Sequence, residues 1–390
     1  MNRGDWQRIE DRIFSPRRVA LYAGGLLLCY AVFLATGYFH GLWLIDGEGR
    51  GRAIDFVAAW AAARLAVSGH AASTYDLAVL AREQLTAVAA LYGDYPWAYP
   101  PTYFLLIAPL ALFSYVAGAL VWMVGTLALY GAGIGAVLPR RSAVLAAAAS
   151  PFALWCFYAG QNGFLTAALI AGVLALLDRR PIVAGILLGL LTMKPQLGIV
   201  FPLILALTGR WRVFGAAAAT AIVLALLSFL LFGAGAWRAF LLALQTQSGA
   251  VLDRGDVLFY KQQTVHAVLR LLGAGEAFAW TAHVAVALAA LGFTAWLWRQ
   301  PVDDRLKAAA LAMTALLATP YLFLYDLPIL SVPLVFLASL GSARGFIPGE
   351  RSLLAVLMPV LLVVGGPVGV PVLLALWLLI VLRVPSARTA

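Results

Sequence analysis

Long apolar runs, separated by short clusters of arginine and lysine, most constrain how this chain folds. Hydrophobic residues make up 63% of its 390 residues and charged residues only 11%. A soluble domain contains about 45–50% apolar residues. Because so apolar a chain has too few polar residues to cover a water-exposed surface, we predict an all-α, polytopic membrane protein. The apolar blocks lie at 19–39, 99–113, 115–137, 142–157, 161–177, 181–192, 196–208, 213–232, 264–298, 308–319, 321–341, 352–365 and 367–383.

The basic clusters indicate how the helices are oriented, since arginine and lysine concentrate in cytoplasmic loops. Five arginines precede the first apolar run, which is long enough to span a bilayer, so we predict an uncleaved first helix with a cytoplasmic N-terminus. Later clusters occur at 140–141, 179–180, 210–212, 299–307, 344–351 and 383–388. The loops at 158–163, 192–198, 233–262 and 318–326 would then face the exterior together with segment 39–98.

One stretch conflicts with this charge pattern. Between an exterior loop that ends near Tyr99 and the basic pair at 140–141, the chain can cross only an odd number of times, yet 99–137 contains two apolar blocks. Either 99–113 is a re-entrant or tangential helix, or Arg140 and Arg141 depart from the charge rule. We predict 11 to 13 membrane helices that form one domain over residues 1–390.

Segment 39–98 differs from the rest of the chain in its charge. It holds six of the 17 acidic residues and reads as a first exterior loop. Within it, 56–67 and 77–91 have the pattern of short amphipathic helices, too short to span a bilayer. Trp60 and Arg64 share one face of the first of these. We predict that both helices lie in the membrane interface.

Asp55 stands directly before the first of these short helices, and its position admits two interpretations. As a helix N-cap, its carboxylate would accept hydrogen bonds from exposed backbone N–H groups. As a general base at the membrane surface, partial burial would raise its pKa, while nearby Arg50 or Arg52 would oppose the rise. Both roles are compatible with each other.

Two further charged residues lie in strongly apolar surroundings. Lys194, in "GLLTMKPQLGIVFPL", is either a lysine that reaches the interface or, as we prefer, a ligand for a lipid phosphate. Asp326, in "PYLFLYDLPIL", would be costly to bury alone, so it either pairs with a cation or binds a polar ligand. Gln196 and Tyr325 in the same two segments are further candidates for binding a polar ligand.

Amides and a basic cluster complete the candidate residues. Gln161 and Asn162, between glycines, either cap the next helix or hydrogen-bond sugar hydroxyls. His266 lies one helical turn before Arg270, and the two are either structural or part of a phosphate site that also includes Arg64. Weaker candidates of the same kind are Arg254 and Lys261.

Several common site types find no counterpart in the sequence. It contains no GxGxxG or Walker loop, no HExxH or GxSxG motif, and no His, Asp and Glu cluster with metal-ligand spacing. The sequence therefore has no recognisable phosphate-binding loop for a soluble nucleotide donor. Cys29 and Cys156 lie in apolar segments and indicate neither a disulfide framework nor a metal site. The net charge of +10 arises mainly from loop clusters, and we expect no nucleic-acid partner.

The order of these motifs resembles glycosyltransferase family 87 over about residues 15–345. The stretches that carry the resemblance are "DFVAAWAAARLAVSGHAASTYD" (55–76), "YPPTYFLLIAPLALF" (99–113), "GQNGFLTAALIAGVLALLDRRPIVAGILLGLLTMKPQLGIVFPL" (160–203) and "TPYLFLYDLPIL" (319–330). The resemblance implies a GT-C bundle in the bacterial inner membrane that uses a polyprenyl-phosphate sugar, such as mannose, on the exterior face with inversion. It also implies that Asp55 is the catalytic base and that Lys194 lies on the active-site side.

The expected reaction is monosaccharide transfer to a lipid or glycan acceptor. We expect the protein to contact membrane lipids and to need no cofactor. A monophosphate leaving group beside fixed cations can do without a divalent ion, so we predict that no metal is needed. One alternative is a flippase for lipid-linked sugars, which would need a polar pathway from face to face, through residues such as Lys194 and Asp326. A ligase that moves a whole glycan from a lipid diphosphate would call for more arginine in the exterior loops.

Overall fold

Helices joined by short loops make up the fold. The computed structural model describes residues 9–253, 259, 261–363 and 369–387. In these residues, β pairing is limited to three isolated bridges. The prediction of an all-α membrane protein is confirmed.

The α-helices are numbered here in chain order. They are α1 Pro16–Phe39, α2 Phe56–Val67, α3 Leu77–Gln84, α4 Phe104–Ile107, α5 Tyr115–Val137, α6 Arg141–Ala148, α7 Pro151–Ala159, α8 Gly163–Leu176, α9 Pro181–Leu190, α10 Pro195–Gly198, α11 Val200–Leu207, α12 Trp211–Asp253, α13 Val265–Leu271, α14 Glu276–Trp298, α15 Asp304–Ala318, α16 Ser331–Arg344, α17 Glu350–Val363 and α18 Gly369–Arg383. Short 3-10 helices occur at Ala71–Tyr75, Pro101–Tyr103, Ala108–Leu112, Leu191–Met193, Leu324–Leu330 and Pro385–Ala387.

Five helical segments in the described part of the chain are long and apolar enough to cross a membrane. They are Pro16–Phe39, Tyr115–Val137, Trp211–Gln245, Glu276–Trp298 and Leu324–Arg344. A sixth is obtained if α6 and α7, which meet at a bend of 58°, form one broken span. Shorter apolar helices of 10–17 residues fill the bundle between them. The predicted number of 11 to 13 membrane helices stays a prediction.

The stretch 101–112 favours one of the two explanations of the conflict in the charge pattern. It forms a 3-10 turn, the four residues of α4 and a second 3-10 turn, a total length too short to cross the hydrocarbon core. Directly after it, the Tyr115 hydroxyl donates to the Arg52 carbonyl at 2.9 Å and accepts from the Ile54 N–H at 3.2 Å. The chain has therefore returned to the Asp55 end of the bundle when α5 begins. This geometry agrees with a re-entrant or tangential segment.

Helix α2 begins and ends as predicted, but its surroundings differ from the predicted interfacial helix. Nine of its twelve residues are buried, because the 3-10 turns at 71–75 and 108–112 and helix α3 pack around it. The Trp60 indole donates to the Phe113 carbonyl at 3.0 Å. Helix α3 ends at Gln84, where the sequence suggested 91, and Asp76 caps its start by accepting from the Ala78 and Val79 N–H groups. Segment 39–98 thus forms a packed cap on the bundle.

The basic clusters converge on the opposite end of the bundle. Helix α5 carries Tyr115 at the Asp55 end and reaches Val137 after 23 residues, or about 34 Å at 1.5 Å per residue. Beyond Val137, one cavity is lined by basic residues from four separate clusters or helix ends, namely Arg140, Arg179, Arg210, Arg305 and Lys307. The two ends of the bundle therefore differ sharply in charge.

Candidate active site

Segments that are distant in the sequence come together around Asp55 at one end of the bundle. Gln161 contacts Asp55, and Lys194 contacts Asp326. The segment after α12 joins them through main-chain contacts, because the Gln263 N–H donates to the Leu322 carbonyl at 2.6 Å. The loops predicted at 158–163, 192–198 and 318–326 thus lie together in the structure. Of the loop predicted at 233–262, residues up to Asp253 belong to α12 instead, 254–258 and 260 fall outside the described residues, and the Lys261 carbonyl joins the other loops by accepting from the Leu324 N–H at 3.2 Å.

The Asp55 carboxylate contacts Gln161 rather than the backbone at the start of α2. Its Oδ2 accepts a hydrogen bond from Gln161 Nε2 at 3.1 Å, whereas the capping interpretation required bonds from the N–H groups of α2. Its side chain is partly buried, and this burial raises the pKa of Asp55. The hydrogen bond from Gln161 and the positive charge of Lys261 act in the opposite direction. A carboxylate held in this way is suited to accept a proton.

A tight turn places Gln161 and Asn162 next to Asp55. Helix α7 ends at Gly160 with a φ of 68°, a left-handed conformation that favours glycine, and a Cβ there would lie 2.7 Å from the Cβ of Phe56. Asn162 Nδ2 donates to the Tyr103 hydroxyl at 3.1 Å, so both amides bond to side chains of the site. This finding replaces the interpretation of these amides as caps of α8.

Lys194 and Asp326 form a buried ion pair. The ammonium donates to Asp326 Oδ1, and only 4% of Lys194 and 2% of Asp326 are exposed. Asp326 Oδ2 also accepts from the Phe323 N–H at 3.2 Å. Each charge therefore compensates the other in an apolar interior. The alternative of a lysine that reaches toward the interface does not hold.

Tyr99, which the sequence analysis did not select as a site residue, connects these two groups. Its hydroxyl donates to Gln161 Oε1 at 3.3 Å, and its ring centroid lies 5.9 Å from the Lys194 ammonium. Burial raises the pKa of Tyr99, and the nearby carboxylate of Asp326 acts in the same direction. The phenol therefore stays protonated and available as a donor. The density of aromatic residues between 95 and 104 was the available signal.

Other candidate residues take part in different contacts. His266 packs between the rings of Phe259 and Trp280, at centroid distances of 5.7 and 4.5 Å. Arg270 Nη1 donates to the Ala274 carbonyl at 3.0 Å. Neither contact involves Asp55.

The remaining candidates lie near the site or pair elsewhere. Arg64 pairs with Glu83 at 2.5 Å and lies 4.9 Å from the ring of Trp60. Tyr325 lies beside the ion pair, its ring 5.5 Å from the Lys194 ammonium, and Gln196 is half-buried in α10. Arg254 falls outside the described residues.

Comparison with known proteins gives one match. Residues 97–320, more than half of the chain, match the family model of glycosyltransferase family 87. The matched range includes Tyr99, Gln161 and Lys194, whereas Asp55 and Asp326 lie outside it. No curated protein and no solved structure matches the chain.

Proposed function

Because the chain belongs to glycosyltransferase family 87, we propose that it transfers one sugar from a polyprenyl-phosphate donor to a lipid or glycan acceptor. The sugar would be mannose or a similar hexose or pentose. The observation that carries this proposal is the partly buried Asp55 carboxylate, oriented by Gln161 and placed among the segments that meet at one end of the bundle. This end would face the exterior of the bacterial inner membrane, since the basic clusters lie at the other end.

In the proposed reaction, Asp55 takes the proton from an acceptor hydroxyl. The hydroxyl oxygen forms a new bond to the anomeric carbon from the side opposite the phosphate, so the configuration inverts. The bond between the anomeric carbon and the phosphate oxygen breaks, and its electron pair leaves with the polyprenyl phosphate. The raised pKa of Asp55 supports this role, because a more basic carboxylate accepts the proton more readily.

Fixed cations would stabilise the charge that develops on the leaving phosphate. Lys261 is exposed, and its positive charge acts on Asp55, so we propose it as one of these cations. Lys194 would contribute through its pair with Asp326, and His266, Arg270 and Arg64 remain proposed phosphate ligands. With these cations, we propose that the reaction needs no divalent metal ion.

Polar groups around Asp55 would recognise sugar or acceptor hydroxyls. Gln161 and Asn162 present amide donors and acceptors in fixed directions, and Tyr325, Asp326 and Gln196 are proposed for the same purpose. The apolar tail of the donor would lie in lipid against the outside of the bundle, where burial of each methylene favours binding.

The Asp55→Asn substitution tests the base directly. In nanodiscs supplied with radiolabelled polyprenyl-phosphate sugars and cell lipids, we expect transfer to fall by about 10²–10⁴-fold, the usual contribution of a general base. Donor binding should persist, because the amide keeps the size of the side chain. Asp94→Asn, which alters an exposed acid of the same segment, should leave transfer unchanged. Normal turnover by Asp55→Asn would refute the base assignment.

The same assay separates transfer from flipping. Label that moves onto a new lipid or glycan supports a transferase. Label that only changes leaflet, with no new labelled product for any donor sugar, would support a flippase and overturn the proposal. Mass spectrometry of lipids after gene deletion would then identify the acceptor.

A further inference from the structure

A cationic cavity lies at the end of the bundle that is remote from Asp55. Its volume is about 530 Å³, within the range of roughly 300–1,000 Å³ that is usual for small-molecule sites. Val137 at the end of α5, Asp178 after α8, Trp298 at the end of α14 and Ser342 near the end of α16 all contribute to its wall. Because several helices end here, the cavity lies at the end of the bundle.

The wall of this cavity carries an excess of positive charge. Five cationic side chains line it against two carboxylates, Asp178 and Asp304. A third carboxylate, Asp303, pairs with Arg305 at 3.5 Å, so Arg140 and Arg179 are the cations of the wall that have no carboxylate partner in the described part of the chain. Arg210 pairs with Asp178, and its guanidinium also lies 5.3 Å from the ring centroid of Trp298. Lys307 pairs with Asp304 at 3.2 Å. An anion in the cavity would compensate the remaining charge.

A second cavity, predominantly apolar, adjoins the first. It has a volume of about 610 Å³ and shares Leu138, Arg140 and Ser342 with the cationic cavity. Arg140 Nη1 donates to Ser342 Oγ at 3.0 Å, so a hydrogen bond marks the boundary between the two. The apolar wall of the second cavity includes Val19, Ala146, Leu334, Val335 and Leu354. A cationic cavity thus lies next to an apolar one, and the two share part of a wall.

We propose that these neighbouring cavities bind one anionic phospholipid, with its phosphate in the cationic cavity and an acyl chain in the apolar one. A free phosphate ion would use only the first compartment, and a neutral lipid would leave the excess charge uncompensated. This site is separate from the proposed donor site, because α5 runs about 34 Å between its Asp55 end and Val137.

Native mass spectrometry of the delipidated full-length protein tests the proposal, with phosphatidylglycerol as the probe. The double substitution Arg140→Ala with Arg179→Ala removes two cations of the wall. We expect the affinity for phosphatidylglycerol to fall by about tenfold or more, since each cation near an anionic lipid contributes measurably to binding. The matched control is Arg141→Ala with Arg180→Ala, which removes two exposed neighbours that do not line the cavity and should retain wild-type affinity.

A variant of the apolar compartment keeps the test decisive if the arginine variant does not fold. Ala146→Phe should fill that compartment and weaken phosphatidylglycerol binding. Three results would overturn the proposal: equal affinities for the two arginine double variants, equal binding of phosphatidylcholine, or full displacement of the lipid by millimolar inorganic phosphate. The last of these would assign the cavity to a phosphate ion.

Discussion

At the scale of single residues, Gln161 controls the basicity of Asp55. Its hydrogen bond at 3.1 Å lowers the pKa of Asp55, whereas burial raises it. A general base must be ionised to act, so kcat/KM should rise with pH through this pKa. In Gln161→Leu the opposing hydrogen bond is lost, and the acid limb of the pH profile should move to higher pH. An unchanged limb together with a lower plateau would instead indicate that Gln161 only binds substrate.

The Lys194 and Asp326 pair makes a prediction about stability. Either Lys194→Met or Asp326→Asn leaves one buried charge without its partner, which costs about 3–5 kcal/mol. The double substitution Lys194→Met with Asp326→Leu removes both charges and should recover much of this loss. Unfolding by dodecyl sulfate in mixed micelles measures each free energy.

Asp304→Asn is the matched control for that experiment. Asp304 also pairs with a lysine, Lys307, but its side chain is 73% exposed. Loss of this pair should cost no more than about 1 kcal/mol. If Asp326→Asn were as stable as Asp304→Asn, the pair would contribute little to the fold.

The sequence predicted the chemistry of individual residues better than their partners. Lys194 and Asp326 were selected because charge is costly in apolar surroundings, and Asp55 because it directly precedes a helix too short to span the bilayer. The partner of Lys194 could only be left open, since 132 residues separate it from Asp326 and no local pattern reports such a contact. Tyr99 was missed because the aromatic residues between 95 and 104 do not indicate which of them contacts the site, whereas its position between Gln161 and Lys194 does.

At the scale of elements, the contact between the start of α8 and the 3-10 helix 324–330 requires glycine. A Cβ on Gly163 would overlap the Tyr325 carbonyl oxygen, so one backbone must move. We expect Gly163→Ala to cost about 1–3 kcal/mol and to lower transfer by displacing Asp326. The same micelle unfolding and transfer assays measure both effects.

Gly292→Ala is the control, because a Cβ at this position inside α14 meets nothing within 4 Å. Replacement of glycine by alanine in an open helix interior should stabilise the protein by about 0.5–1 kcal/mol. Equal effects of the two substitutions would mean that the contact with Tyr325 tolerates a methyl group.

Element boundaries were predictable where a local signal exists. Asp55 before an apolar run predicted α2 from 56 to 67. The block at 142–157 was predicted as one segment, whereas the structure divides it into α6 and α7, with Pro151 at the first position of α7. The environment of α2 was not predictable, because the 3-10 turns at 71–75 and 108–112 and helix α3 bury nine of its twelve residues. Periodicity reports which face of a helix is apolar and does not report what packs on the other faces.

At the scale of the whole molecule, the two ends of the bundle should lie on opposite sides of the membrane. Asp94→Cys, in the segment near Asp55, should react with a membrane-impermeant maleimide in intact cells. Arg180→Cys, after α8, should react only after permeabilisation. Both are placed in a background with Cys29→Ser and Cys156→Ala, which itself should stay unlabelled. Labelling of both cysteines in intact cells would contradict this arrangement.

The buried ion pair also has a consequence for biosynthesis. Ribosomes deliver the chain from its N-terminus, so Lys194 reaches the membrane 132 residues before Asp326 has been made. During this interval its ammonium cannot enter an apolar interior cheaply and must stay near water or lipid headgroups. The region around the pair can therefore close only after the 3-10 helix at 324–330 has been inserted. Nascent chains that stop before Asp326 should expose this charge and be recognised by quality control as unfinished.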